Sequence, residues 1–203
     1  MNNLVESFKG SNVLITGHTG FKGSWLTIWL ESLNANIYGI SKGLVSSPSH
    51  YKITGIENNI TNHELNIQDD KKLSNLINNI QPDYVFHLAA QPIVSESYTD
   101  PRNTWITNTI GTINVLEGLR HLKKKCIAIF ITSDKCYENL EWVYGYRETD
   151  KLGGKDPYSA SKAGAEVAIK SYFESFFRDN SKVRIGIARA GNVIGGGDWA
   201  NNR

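Results

Sequence analysis

The chain has 203 residues, enough for one domain with a sizeable core. Its 40% hydrophobic and 21% charged residues are ordinary for a soluble globular protein, and a formal net charge of +2 gives no electrostatic case for a nucleic-acid partner. No apolar run reaches the ~18 residues of a membrane span, the first residues lack a signal-peptide pattern, and two cysteines, Cys126 and Cys136, make neither a disulfide framework nor a zinc cluster. A cytoplasmic protein without a metal site is the expectation.

Residues 12–16 form a short apolar run that reads as a buried strand. Trp25, Leu26, Trp29, Leu30 and Leu33 follow at helical spacing and read as a core-facing stripe. A second strand is expected at 36–40. A weaker third ends near Leu65-Asn66-Ile67, before a helix carrying Leu73, Leu76, Ile77 and Ile80. Residues 84–89 are the fourth expected strand. After Pro101 the pattern predicts one long helix over 104–124, closed by Lys123, Lys124 and Lys125, since cations suit a helix C-terminus. The fifth strand is expected at 127–132. Asp156 and Pro157 have the character of an N-cap and first helical residue, opening a helix to about residue 178. Residues 183–188 are the sixth strand.

Fully apolar strands alternating with helices predict a parallel sheet covered on both faces, a Rossmann-type doubly wound α/β fold over 1–203. Ligands of such a fold sit outside the carboxyl ends of the strands. The unusual polar and glycine residues do follow strands: Gly17, Ser41, Asn66, Gln91, Ser133-Asp134-Lys135 and Arg189-Ala190-Gly191-Asn192. The final stretch is glycine-rich (Gly195, Gly196, Gly197) and lacks a closing element, which reads as an N-terminal piece of a longer enzyme.

Two patterns carry chemistry. Gly17, Gly20 and Gly23 make a G-x-x-G-x-x-G loop between strand and helix, where backbone amides can meet a pyrophosphate that a side chain would keep out. No acidic residue follows the second strand to grip an adenosine ribose. Ser41 and Lys42 stand there, and Lys42 leaves NAD versus NADP open. Tyr158 and Lys162, at i and i+4, share a helix face, and an ammonium beside a phenol favours its phenolate. Small residues around them (Ala160, Ala163, Gly164, Ala165, Ala168) would let this helix pack closely on the sheet. Ser133 can hydrogen-bond the oxygen that the tyrosine serves, and Asp134 beside it can act as a general acid. Glu166 and Lys170 read as a solvated helix pair. His18, His87 and His121 read as satisfied or exposed.

These residues resemble the extended short-chain dehydrogenase/reductase family of NAD-dependent epimerases and dehydratases over essentially the whole chain. Within it they look like the 4,6-dehydratases that act on CDP-glucose. The strings that carry the likeness are GHTGFKGSWL from Gly17, HLAAQP from His87, TSDKCYEN from Thr132 and RAGNVIGGGDW from Arg189. The resemblance implies transient oxidation of a nucleotide-bound glucose at C4, loss of water across C5–C6 and return of the hydride to C6. Tyr158 would take the C4 hydroxyl proton with Lys162 and Ser133, and Asp134 would protonate the departing C6 hydroxyl. Lys135 stands where the dTDP-glucose branch has glutamate, which favours the CDP branch and leaves the C5 base open.

The resemblance further implies an NAD site lined by Gly17, Gly20, Phe21, Gly23, Ser41, Asn66, Ile67, Leu88, Ala89, Ala90, Asn108, Tyr158, Lys162 and Arg189, and a substrate site using Gln91, Ser133 and Asn192. A homodimer through a four-helix bundle and a nucleotide-holding lobe beyond Arg203 are implied too. Asn66, where aspartate is common, and Ser95 and Glu96, where basic residues are common, depart from the family pattern. An epimerase or 4-reductase on the same scaffold, or a non-catalytic cofactor-binding piece, are the other readings.

Overall fold

The computed structural model describes residues 2–179 and 182–201. In chain order the elements are α1 (Asn2–Phe8), β1 (Asn12–Thr16), α2 (Phe21–Ser32), β2 (Asn36–Ser41), α3 (His50–Ile53), β3 (Thr61–Glu64), α4 (Asp70–Ile80), β4 (Tyr84–His87), α5 (Val94–Thr99), α6 (Pro101–Trp105), α7 (Gly111–Arg120), β5 (Cys126–Ile131), α8 (Pro157–Tyr172) and β6 (Val183–Ala188). The six strands form one sheet in the order β3-β2-β1-β4-β5-β6, and every pairing is parallel. This is the expected doubly wound arrangement. The order reverses between β1 and β4, so a crevice lies at their carboxyl ends.

Alternation along the strands sends side chains into two separate cores. On one face Leu14, Ile40, Val85, Ala128 and Phe130 meet Leu73, Ile77, Val115, Leu116, Leu119 and Ile169 from α4, α7 and α8. On the other, Val13, Ile15 and Ile37 meet Leu30 of α2 and Phe8 of α1, a helix the sequence pattern did not suggest. Burying each such Leu or Ile contributes about 1.5–3 kcal/mol.

Four expectations are corrected. The third strand ends at Glu64, because Leu65 follows the edge strand and Ile67 dives into the core. The long helix is not continuous: α6 and α7 flank a π-helical turn, Ile106–Ile110, and α7 stops at Arg120. Lys123, Lys124 and Lys125 therefore lie in the turn beyond it, where Lys124 pairs with Asp83 at 2.8 Å. Trp25 and Trp29 are 47% and 49% exposed, because α2 buries Gly23, Thr27 and Leu30 instead. Among the described residues no helix is long and apolar enough to cross a membrane.

Candidate active site

The glycine loop turns directly off β1. Gly17 has φ +78, and a Cβ there would come within 2.7 Å of the Ala89 backbone nitrogen, so the loop lies flat against the segment leaving β4. At Gly23 a Cβ would sit 2.1 Å from the Gly17 carbonyl oxygen. Close approach of backbone to backbone, rather than turn freedom alone, demands glycine at these two positions. Gly20 is the N-cap of α2 and, lacking a side chain, makes no side-chain cap hydrogen bond. Thr16 ties the loop to β4: its Oγ1 accepts from the Ala89 amide (3.2 Å) and bonds His87 Nδ1 (2.7 Å). His87 Nε2 reaches Thr112 Oγ1 at 3.1 Å. Burial, and then the nearby Lys162, push the His87 pKa down to about 3, so it is a neutral pin between β1, β4 and α7.

Helix α8 begins as expected: Asp156 accepts from the Ser159 amide at 2.9 Å, and Pro157 occupies the first turn. Tyr158 and Lys162 are 9% and 7% exposed on its inner face. Lys162 Nζ donates to the carbonyl of Ile131, the last residue of β5, at 3.4 Å. Burial first, and then the Lys22 cation of α2, push the Lys162 pKa down to about 8. Lys162 therefore lies within electrostatic range of Lys22, in the helix that follows the glycine loop, and of His87 at the end of β4. At least one of the small residues serves helix–helix packing: a Cβ at Gly164 would meet Trp105 of α6 at 2.9 Å.

Ser133 caps a short 3-10 turn, Asp134–Cys136, by accepting from the Lys135 amide at 3.2 Å, and its hydroxyl donates to Asp134 Oδ1 at 3.0 Å. Asp134 and Lys135 are exposed. The turn is stitched to the segment after β6 by the Asp134 amide, which donates to the Ala190 carbonyl at 3.0 Å. Asn192 follows, exposed.

Several expected ligand residues have other partners. Gln91 is 9% exposed, donates to Thr104 Oγ1 (2.8 Å) and accepts from the Ile93 amide (2.6 Å), so its side chain is turned into the protein. Asn108, inside the π-helical turn, holds the Gln91 backbone at both ends and donates to Ser161 Oγ at 2.9 Å. Ile67 packs into the core and gives its carbonyl to Asn114 (2.9 Å). Arg189 places Nε on Glu166 (2.8 and 3.0 Å) and Nη1 on the Glu148 carbonyl (3.1 Å). Ser41 accepts from Thr19 Oγ1 at 3.0 Å, tying the end of β2 to the glycine loop, and Asn66 accepts from the Gln68 amide. Phe21 opens α2, while Leu88, Ala89 and Ala90 run half-buried beyond β4.

Sequence reasoning missed Glu166. It is 2% exposed and paired with Arg189, not solvated beside Lys170. The available signal was its place one helical repeat beyond Lys162, on the face that buries Tyr158.

The profile of a family described as GDP-mannose 4,6 dehydratase matches residues 14–186. The chain belongs to this family. A CDP-glucose 4,6-dehydratase from Salmonella typhimurium is 44% identical over 200 residues, covering 97% of this chain and 56% of that protein. A dTDP-D-glucose 4,6-dehydratase from Dictyostelium discoideum is 32% identical over 208 residues, covering 96% and 46%. Among solved structures, an epimerase from Methanothermobacter thermautotrophicus superimposes with a TM-score of 0.79 at 27% identity, covering 97% of this chain and 56% of that one. The chain thus spans about half the length of the curated relatives it matches.

Proposed function

We propose that the protein, in its complete form, is a nucleotide-sugar 4,6-dehydratase that converts CDP-glucose to CDP-4-keto-6-deoxyglucose with NAD as resident cofactor. The observation that carries this reading is the position of Lys162, bonded to the end of β5 and within the field of Lys22 and His87. Tyr158 lies one helical repeat before this buried ammonium on the same face of α8, so the Lys162 charge would favour its phenolate.

The crevice fits a dinucleotide: a glycine-packed loop, a helix start with no side-chain cap, and a flat half-buried strip beyond β4. Gly17, Gly20, Phe21 and Gly23 would hold its pyrophosphate, Ser41 and Asn66 its adenosine side, and Leu88, Ala89 and Ala90 its nicotinamide side. When bound, such a cofactor supplies reversible hydride acceptance. Tyr158 takes the proton of the sugar's C4 hydroxyl, and the Lys162 ammonium stabilises its phenolate. Ser133, turning its hydroxyl away from Asp134 Oδ1, donates to the same oxygen. A ketone at C4 acidifies the C5 hydrogen; a base in the site takes that proton while Asp134 gives one to the departing C6 hydroxyl so that water leaves. Return of the hydride to C6 with a proton to C5 completes the 4-keto-6-deoxy sugar. A carboxyl held beside Ser133 suits elimination better than epimerisation, which has no C6 leaving group. Exposed Trp105 and Ile110 on the α6–α7 flank suit a second copy of the chain, giving a dimer through paired helices.

The test is to incubate the complete protein with NAD and CDP-glucose and follow loss of one water by mass. A deuterium placed at C4 should reappear at C6. The 203-residue chain alone is expected to turn over negligibly, and no water loss from the complete protein would refute the proposal. Exchange of C4 stereochemistry without water loss would favour an epimerase.

A further inference from the structure

Glu166 is the third member of the α8 stripe that begins with Tyr158 and Lys162, each four residues on. Its carboxylate gathers donors from three other places in the fold. Thr132 Oγ1, at the end of β5, lies 2.6 Å away, and Cys136 Sγ, in the acid turn, 3.2 Å. Arg189, just past β6, supplies Nε at 2.8 and 3.0 Å and closes the ion pair with Nη2. The same guanidinium lies 4.6 Å over the Tyr137 ring, which stacks on Tyr146 with centroids 5.1 Å apart. Burial opposes the charge on Glu166, yet these donors outweigh it and hold the carboxyl below the usual range.

A buried ion pair is a weak source of net stability, since desolvation offsets most of the attraction. Its value here is geometric. The turn carrying Ser133 and Asp134 is a three-residue 3-10 segment that cannot position itself. Thr132 precedes that turn and Cys136 is its last residue, and both bond Glu166. Tyr158 and Lys162, by contrast, are carried by α8 directly.

We propose that the Glu166–Arg189 pair is a positioning device that sets the acid turn against the Tyr158–Lys162 pair and so couples chemistry at C4 to elimination at C6. This rests on the dehydratase reading. Without the pair, the step at C4 persists while proton delivery by Asp134 falters.

The experiment compares Glu166→Met, Arg189→Met and the double variant in the complete protein. Each single variant strands a buried charge and should melt lower, whereas the double variant removes both charges and should recover most of the wild-type melting temperature. Water loss from CDP-glucose should nevertheless stay down by about a hundredfold in the double variant, the scale of a misplaced catalytic group. KM for CDP-glucose should hold within about twofold. Reduced nicotinamide should accumulate transiently, absorbing in the near ultraviolet, because oxidation at C4 outruns elimination. Recovery of turnover together with stability would overturn the proposal, as would a loss confined to KM.

A second readout needs no turnover. Amide hydrogen exchange at Asp134 and Cys136 should quicken by about tenfold or more in the double variant while α8 stays protected. Unchanged exchange there would overturn the positioning role. If the wild-type protein converts no nucleotide sugar, the dehydratase reading fails, and exchange alone decides whether the pair holds the turn.

Discussion

Between Gly17 and Gly23 the crevice is shaped by missing side chains, whereas between Ser133 and Lys135 it is shaped by side chains arriving from elsewhere. The glycine loop is contiguous, and its contacts are mostly backbone against backbone, with Ala89 and the Gly17 carbonyl as the close neighbours. The acid turn depends on Glu166 from α8 and on Arg189 and Ala190 from beyond β6. A ligand that needs only amides can be served by a local motif. A proton donor that must be aimed requires a network, and a network can be loosened without unfolding the chain.

Removing the reacting group tests the composite side most severely. Tyr158→Phe should lower kcat of the complete protein by about 10³-fold, read by turnover. The NAD Kd should stay within about twofold, because the glycine loop is untouched. A loss below about tenfold would mean that another group serves the C4 hydroxyl.

Lys162 sharpens the contrast next. Its pKa of about 8 lies below the ordinary 10.5, so between those values the unfolded chain keeps a proton that the native protein has lost. Native stability therefore carries the full burden of the buried ammonium below about pH 8, and the burden is relieved as pH rises through that window. The total is on the order of 3 kcal/mol. Lys162→Met should be more stable than wild type near neutral pH, with the gap closing towards alkaline pH in denaturant melts. A gap independent of pH would contradict the buried charge.

On the contiguous side, Gly23→Ala drives a methyl into the Gly17 carbonyl and should destabilise by about 1–3 kcal/mol. It should also weaken NAD binding by about tenfold or more, equivalent to about 1.4 kcal/mol. Melting and cofactor titration check the two separately. Intact binding would show that the loop does not need its close packing. The smallest effect is expected from Asp156→Ala, which removes the α8 N-cap bond and the bond from the Ser159 hydroxyl and should lower stability by about 1 kcal/mol in chemical denaturation.

The parts legible in the sequence share one property: their contacts are local. Strands β1 and β6 fall where their apolar runs end, the N-cap of α8 is Asp156, and Tyr158 with Lys162 share a face because a helix puts i and i+4 together. The polar strand Thr61–Glu64 was obscured because it lies at the sheet edge, and the apolar residues next to it lie outside it. The resemblance implies Gln91 and Asn108 as ligand residues; in the structure the Asn108 side-chain amide holds the Gln91 main chain and Ser161, and the Gln91 side-chain amide bonds Thr104 and Ile93. Spacing does not reveal which way an amide turns.

The sequence by itself determined the parallel doubly wound sheet, the glycine loop at its first turn and the tyrosine–lysine helix, because periodicity and backbone sterics act over a few residues. Only the tertiary structure decided that Arg189 belongs to Glu166, that the π-helical turn brings Asn108 to Gln91, and that Lys162 is buried enough to lose affinity for its proton. Those outcomes depend on which side chains meet across the sheet once water is excluded, and no stretch of chain contains both partners.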